Sequence, residues 1–239
     1  MSQFYNSIAE KYDDIFPLSP AHKVFFDAEV HGKTVLDVGA GTGNLTAYLR
    51  AQGYDVTAID LSKALIAQAT AKDIEVQELN MLAIDTLPMF DTIINIGNTL
   101  PHLNNKDEVQ TFLKKAYNQL TQGGKLILQM VNFEKYFAQK EGNFLGNLPL
   151  IENEKVKFER SYHLNSNNKV IFRTVLDETI ANEELLQPIL SQELTRWLSQ
   201  IGFKDLKLYG NFKKESFNPE TSMALIVTCL LYTSPSPRD

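Results

Sequence analysis

Three glycines at alternate positions, Gly39, Gly41 and Gly43, follow a short apolar run that contains Asp37. Glycine lets a backbone approach a ligand closely, and the helix that the sequence predicts from Asn44 would present unpaired N–H groups to an anionic group. Because a strand-like run precedes the glycines and a helix-like segment follows them, the loop predicts a ligand-binding site. The alternative, a purely structural turn, fits this context less well.

The next apolar run ends in a carboxylate, Asp60. A carboxylate at the end of a parallel strand can accept both hydroxyl groups of a ribose. The alternative is that Asp60 caps the helix that begins at Lys63, although Ser62 is better placed for that. We therefore expect a nucleoside-containing ligand between the glycine loop and Asp60.

The spacing of the glycines separates two classes of cofactor. A dinucleotide fingerprint, G-x-G-x-x-G, would place its third glycine at position 44, where this chain has Asn44. The order D-x-G-x-G-x-G instead resembles the first motif of class I methyltransferases, which use S-adenosylmethionine. That resemblance implies that the amino-acid end of the cofactor is held by Asp37, Gly39, Ala40, Gly41 and Gly43. An NAD(P)-dependent oxidoreductase, or a protein that binds S-adenosylmethionine without catalysis, are the alternatives.

The same resemblance assigns further cofactor contacts. Asn80 and Met81 end the third predicted strand, where the family commonly has an acidic and an apolar residue that grip adenine. The amide oxygen of Asn80 can still accept from the adenine amino group, unless Asn80 is only a turn residue. Tyr12 lies in a segment similar to the family's N-terminal lid, although aromatic residues at helical spacing often pack on a core. Leu61 and Ile96 complete the expected cofactor contacts.

A polar segment follows the fourth predicted strand. Residues 95–103 are similar to the G-N-S/T-x-x-H-L stretch of glycine N-methyltransferase-like enzymes. The resemblance implies that Asn98 and His102 face the substrate, with His102 as the catalytic base if the acceptor must lose a proton. The alternatives are that Asn98 caps the turn and that His102 binds only backbone groups.

A third candidate substrate residue, Arg173, comes from strand pairing. If the hairpin predicted below turns symmetrically about 166–167, Arg160 and Arg173 lie opposite each other. Like charges directly across a ladder are destabilising unless an anion lies between them. Arg173 is therefore a candidate ligand for a substrate carboxylate. A different register, or the nearby Glu159 and Asp177, is the alternative explanation.

The elements that must position these residues alternate between strand and helix. Apolar runs without strict alternation, separated by helical segments, predict a parallel sheet covered on both faces, which is a doubly wound α/β fold. The predicted strands are 34–38, 54–59, 74–79, 90–96, 125–131, 203–209 and 223–231, and the predicted helices are 44–52, 63–71, 107–120 and 191–201. The family resemblance implies a Rossmann-like seven-stranded sheet in the order 3-2-1-4-5-7-6, with the last-formed strand antiparallel.

Two segments depart from this pattern. Residues 156–164 and 169–180 alternate apolar and polar side chains around a turn-rich sequence, which predicts an antiparallel hairpin. We expect one domain over residues 1–231, with 140–188 as an inserted lid that contains this hairpin. Residues 232–239 are polar and proline-rich, and we expect them to be a non-native or disordered tail.

The amino-acid composition limits the kinds of molecule that the protein is expected to bind. The 239 residues are 44% apolar and carry a formal net charge of -6, which argues against a dedicated nucleic-acid binder. One cysteine and four separated histidines predict neither a disulfide nor a metal site. Without a signal-like or membrane-spanning run, we expect a cytoplasmic monomer or homodimer that does not bind membranes. Together with the motifs, this predicts a methyltransferase that transfers the methyl group of S-adenosylmethionine to a small molecule, on nitrogen or oxygen, by in-line displacement.

Overall fold

A computed structural model describes residues 3–232, which include a mixed seven-stranded sheet. Its strands are β1 (Thr34–Val38), β2 (Asp55–Asp60), β3 (Gln77–Glu78), β4 (Phe90–Asn95), β5 (Leu120–Val131), β11 (Lys204–Tyr209) and β12 (Ala224–Leu230). They are ordered β3-β2-β1-β4-β5-β12-β11, and β12 runs antiparallel to both of its neighbours. Numbered within this sheet alone, the order is 3-2-1-4-5-7-6, so the predicted fold is confirmed.

Helices cover both faces of this sheet because its inner strands are apolar on both sides. They are α1 (Gln3–Ile8), α2 (Tyr12–Ile15), α3 (Pro20–Glu29), α4 (Asn44–Ala51), α5 (Lys63–Thr70), α6 (Lys106–Gln119), α7 (Phe133–Ala138) and α8 (Ser191–Ile201), with 3-10 turns at Ala9–Lys11, Met81–Thr86 and Leu100–His102. The apolar stripe of α6, including Phe112 and Leu113, is fully buried in the largest core cluster. No helix within residues 3–232 is long and apolar enough to cross a membrane.

The inserted segment forms a second sheet rather than a hairpin. Its five strands are β6 (Phe144–Asn147), β7 (Ile151–Glu152), β8 (Lys157–Leu164), β9 (Val170–Leu176) and β10 (Ile180–Leu186). The predicted strand over 169–180 is interrupted because Asp177 and Glu178 adopt φ values of +49° and +62°. Left-handed conformations at two successive residues make a tight hairpin turn, and an Asp-Glu pair is not a usual signal for one.

The predicted register of β8 and β9 is wrong by one residue. Leu164 pairs with Val170, so the connecting loop has an odd number of residues and Arg173 pairs with Ser161 rather than with Arg160. A slip of one residue moves a side chain to the other face of a strand. Arg160 therefore faces the interior, while the Arg173 guanidinium lies on the outer face, 2.5 Å from a carboxylate oxygen of Glu183.

The N-terminal helices join the two sheets. Phe4, Ile8 and Ile15 are buried in one apolar cluster with residues of the inserted sheet, including Phe158 and Tyr162. The amide of Asn182 on β10 also donates to the Ser7 hydroxyl of α1, at 2.7 Å. The N-terminal segment and the second sheet thus form one wall above the seven-stranded sheet. The tail predicted over 232–239 lies outside the described residues, apart from Tyr232, which is exposed.

Candidate active site

Two adjoining cavities open at the carboxyl ends of the parallel strands, where open α/β sheets bind ligands. One has a volume of about 420 Å³ and lies under the N-terminal helices and the inserted sheet. The other, of about 450 Å³, lies beside β2 and the turn that follows β3. They share lining residues, namely Tyr5, Tyr12, Gly39, Gly97 and His102. We call the first the acceptor cavity and the second the nucleoside cavity.

The glycine loop forms the floor between the cavities. At Gly39 the backbone has a φ of +75°, and a Cβ atom built there would lie 2.5 Å from the Thr99 side chain. At Gly41 the φ is +59°, and a Cβ atom would touch the Tyr12 ring at 3.4 Å. Only glycine leaves this backbone bare at such a φ, so the loop is shaped for close approach of a ligand.

Asp37 lies beneath this loop with 2% of its surface exposed. Burial raises the pKa of its carboxyl group to about 6, although a hydrogen bond from the Thr46 hydroxyl, at 2.7 Å, acts in the opposite direction. The carboxylate lines the acceptor cavity without a lysine or arginine within 4 Å among the described residues. A buried carboxylate of this kind is suited to the positive charge on the amino-acid end of a ligand.

Asp60 is held at the border of the nucleoside cavity by the backbone. Its two carboxylate oxygens accept from the Gly41 and Ser62 N–H groups, at 2.8 and 2.7 Å. Burial nevertheless raises the pKa of Asp60 above its usual value. Each oxygen keeps a free lone pair, which leaves the carboxylate able to accept two further hydrogen bonds. Ser62, and not Asp60, caps α5 through a bond from the Leu65 N–H group.

The far end of the nucleoside cavity carries the residues predicted to bind adenine. Asn80, Met81 and Leu61 all line it, so the structure brings these residues together with Asp60. The Asn80 Oδ1 atom already accepts from the Leu82 N–H group at 2.8 Å, which is the alternative turn role. Its contact with an adenine group stays a prediction, and it would use a second lone pair or the amide N–H groups.

Asp13 fixes the N-terminal segment on the glycine loop through a set of contacts that we call the Asp13 clamp. The sequence did not predict these contacts. The Asp13 carboxylate accepts from the Thr42 hydroxyl, from the Asn44 amide at 2.9 Å and from the Lys72 ammonium at 2.8 Å. Burial acts to raise the pKa of Asp13, but these hydrogen bonds outweigh it and leave the pKa below its usual value. The clamp holds Tyr12, the neighbouring residue, against Gly41 and along both cavities.

The clamp also bears on the class of cofactor. In dinucleotide-binding proteins a pyrophosphate lies at the N-terminus of the helix after the glycine loop. Here that position adjoins Asp13, which bonds to residues on both sides of Gly43, the N-cap of α4. Asp13, already paired with Lys72, occupies this terminus with its own hydrogen bonds. A pyrophosphate would have to displace Asp13, so this end of the site is less suited to a phosphorylated cofactor.

His102 lies where the two cavities meet. Its Nε2 atom is 2.9 Å from the Tyr5 hydroxyl, and its Nδ1 atom is 3.7 Å from a carboxylate oxygen of Glu184 on β10. Tyr5 is partly buried, and its desolvation raises the pKa of its hydroxyl group well above the usual value, so it stays protonated. His102 thus contacts side chains and not only backbone groups. Neither Tyr5 nor Glu184 was predicted, because both come from elements distant in the chain.

Of the two remaining predicted substrate residues, only Asn98 lines the acceptor cavity, together with Ile96, a predicted cofactor contact. The Asn98 Oδ1 atom accepts from the Val131 N–H group at 3.0 Å, and Asn98 has a φ of +61°. Asn98 therefore ties the loop to β5, and a substrate contact would use its amide N–H groups. Arg173 lines neither cavity, and the argument for an anion between it and Arg160 fails with the register.

Comparisons with known proteins agree with this geometry. Residues 35–124 match a family model described as a methyltransferase domain. The chain is 25% identical to glycine/sarcosine N-methyltransferase of Aphanothece halophytica, over 89% of this chain and 84% of that protein. The CcbJ methyltransferase of Streptomyces caelestis has the same fold, with a TM-score of 0.81 and 18% identity over 97% of this chain and 99% of that one.

A third similarity is to a structure solved with the cofactor. CalS10 of Micromonospora echinaspora, an amino pentose methyltransferase with S-adenosylmethionine bound, has a TM-score of 0.63 and 17% identity over 92% of this chain and 90% of that one. The matched family model and these relatives are methyltransferases, and together with the glycine loop they identify the chain as an S-adenosylmethionine-dependent methyltransferase. The relatives that match over most of the chain include two glycine/sarcosine N-methyltransferases. Its cofactor is S-adenosylmethionine.

Proposed function

We propose that this enzyme methylates the nitrogen of a small-molecule amine. The observation that carries the proposal is the shape of the acceptor cavity, which is roofed by α1, α2 and the inserted sheet. Its volume of about 420 Å³ also includes the space at Asp37 and Gly39 for the amino-acid end of the cofactor. A space of this size is typical of small-ligand sites, and it would not admit a folded protein or a nucleic-acid duplex. The names of the similar glycine/sarcosine N-methyltransferases support nitrogen as the methylated atom.

Each part of the site has a role in this proposal. Asp37 and the glycine loop would hold the amino-acid end of the cofactor, Asp60 its ribose, and Asn80 with Met81 its adenine. When bound, S-adenosylmethionine supplies an electrophilic methyl group that a nitrogen lone pair can displace in line. The chain aligns the two reactants and excludes water, which can lower the barrier by about 7–11 kcal/mol. Tyr12 and the Asp13 clamp keep the cavities covered.

His102 would make the amine reactive. At neutral pH an alkyl amine is largely protonated and has no free lone pair, so it must lose a proton before it attacks. The imidazole of His102 lines the acceptor cavity, and a neutral imidazole carries a ring nitrogen that can accept a proton. Glu184 would orient the ring from its Nδ1 side, and the amine would displace the Tyr5 hydroxyl from Nε2 before its proton is taken. O-methylation of a phenol would need the same base.

A panel of acceptors tests the proposal. The purified enzyme is incubated with S-adenosylmethionine and glycine, sarcosine, an amino sugar, a phenol or an oligonucleotide, and S-adenosylhomocysteine is measured. We expect turnover with at least one amine, with the product's added methyl group on nitrogen by mass spectrometry. Methylation of the phenol or the oligonucleotide with every amine inert would contradict the proposal.

The variant His102→Gln tests the proposed base. General-base catalysis contributes about 10²–10⁴-fold, so we expect kcat to fall about 100-fold at pH 7. The deficit should narrow as the pH approaches the pKa of the acceptor amine, because the amine then deprotonates without help. Affinity for S-adenosylhomocysteine should change little. His163→Gln is the matched control, since His163 lies on β8, hydrogen-bonds Ser161 and lines neither cavity. An unchanged kcat at pH 7 would exclude the role.

A further inference from the structure

The inner face of the inserted sheet is apolar except at one cross-strand pair. Along β8 and β9 the inward pairs are Phe158 with Leu176, Tyr162 with Phe172, Leu164 with Val170, and Arg160 with Thr174. Directly opposed residues of an antiparallel pair point to the same face. Arg160 and Thr174 therefore stand side by side in a hydrophobic surface, and Arg160 also lines the acceptor cavity.

Both of these residues hold polar atoms that no described residue satisfies. One end of the Arg160 guanidinium donates to the Pro149 carbonyl at 2.8 Å, but its buried Nε atom has no hydrogen-bond acceptor. The Thr174 hydroxyl, in a residue that is 2% exposed, has no partner either. Burying unsatisfied polar atoms is unfavourable, so a ligand group that accepts hydrogen bonds would be stabilised beside this pair.

The charge of Arg160 is also unbalanced. No carboxylate within residues 3–232 lies within 4 Å of its guanidinium. Burial lowers the pKa of Arg160, while the nearby Tyr162 and Tyr136 act to raise it. Burial raises the pKa of both tyrosines, so they are neutral and offer no counterion. A guanidinium keeps its charge in proteins, so the wall of the acceptor cavity carries a positive charge without an internal partner.

We propose that Arg160, assisted by the Thr174 hydroxyl, binds a carboxylate group of the methyl acceptor. The planar fork of a guanidinium matches the two oxygens of a carboxylate. The acceptor cavity extends from Arg160 to Gly39 and His102, between the rings of Phe4, Tyr162 and Phe172. The acceptor is therefore an amino acid or a larger amino-carboxylate, with its carboxylate at Arg160 and its amine towards His102. This inference rests on the proposed function and names its substrate class.

Binding to the enzyme loaded with S-adenosylhomocysteine tests the carboxylate site without turnover. The probes are benzoate and acetate against benzamide and acetamide, with inorganic phosphate as the other oxyanion, titrated by calorimetry. We expect a carboxylate to bind and its amide to bind at least 10-fold more weakly. Arg160→Met should weaken carboxylate binding about 10- to 100-fold, whereas Arg173→Met, on the opposite face of the same sheet, should not. Equal binding of acid and amide, or preference for phosphate, would overturn the proposal.

One further variant, Thr174→Val, keeps the test independent of folding. Arg160→Met should fold, because replacing a buried charge by an apolar side chain of similar length is often neutral or stabilising. Thr174→Val keeps the shape of its side chain and should weaken carboxylate binding by a smaller factor than Arg160→Met.

With an amine substrate in hand, Arg160→Met should raise KM and leave kcat within a few fold. An enzyme that methylates an amino acid and its amide equally well contradicts this inference alone, while carboxylate binding without any amine turnover contradicts the proposed function alone.

Discussion

Replacement of Gly39 by alanine is expected to weaken binding of S-adenosylhomocysteine at least 100-fold. The backbone φ of +75° costs a residue with a Cβ atom about 1–2 kcal/mol, and the new Cβ atom would overlap the Thr99 side chain at 2.5 Å. Relief of such an overlap costs about 1–3 kcal/mol and displaces the loop that forms the floor of both cavities. Calorimetric titration, with circular dichroism to monitor folding, measures the effect.

Gly53 provides the control for this substitution. Its φ is +92°, but a Cβ atom built there would have no neighbour within 4 Å, and it lies on the turn after α4. Gly53→Ala should therefore carry the cost of a positive φ without a steric overlap. It should leave the affinity for S-adenosylhomocysteine unchanged. If Gly39→Ala shows a native circular dichroism spectrum and binds as the wild type does, the glycine loop is not the floor of the cofactor site.

Replacement of Asp37 by asparagine is expected to stabilise the enzyme in the absence of ligand while it weakens cofactor binding. A pKa raised from 3.8 to about 6 means that ionisation of Asp37 removes on the order of 3 kcal/mol from the free energy of unfolding. Asparagine carries no charge, and its amide oxygen can still accept from the Thr46 hydroxyl. The variant should also bind S-adenosylhomocysteine about 10- to 100-fold more weakly, because a charged hydrogen-bond acceptor is lost.

The pH dependence makes this prediction specific. A carboxyl group whose pKa is raised by folding binds its proton more tightly in the folded state, so its stability cost is absent below the unfolded value of 3.8. The cost grows as the pH rises through about 4 to 6 and is constant above that range. Urea unfolding of the ligand-free proteins should therefore show a gain for Asp37→Asn of about 2–3 kcal/mol at pH 8 and almost none at pH 4. A gain that is equal at both pH values would contradict a buried, ionised Asp37.

Local sequence patterns were sufficient for the parts of the site that lie at strand ends. The glycine loop, Asp60, Asn80 and the segment that carries His102 each follow a recognisable apolar run. Parallel strands bring their carboxyl ends to one edge of a sheet, so these residues had to meet whatever the details of packing. The sheet order came from the family resemblance and is confirmed by the strand pairing.

Local sequence patterns did not predict the contacts between residues that are far apart in the chain. The Asp13 clamp joins residues 29 positions apart or more, and the Tyr5–His102 hydrogen bond spans 97 positions. The face of the sheet to which the Arg160 side chain points depends on whether the loop between β8 and β9 has an even or an odd number of residues. The sequence Asn165-Ser166-Asn167-Asn168 is compatible with either. One residue in that loop decides which arginine faces the acceptor cavity, because strand side chains alternate between faces.

The central claim is that these two cavities hold S-adenosylmethionine, and calorimetric titration of the wild-type enzyme tests it most directly. S-adenosylhomocysteine, S-adenosylmethionine and NAD would be titrated in parallel into the same preparation. We predict saturable binding of the first two at one site per chain and no detectable binding of NAD, because Asp13 adjoins the helix terminus where a pyrophosphate would lie. Binding of NAD with neither sulfur compound bound would contradict the account and would point to hydride transfer.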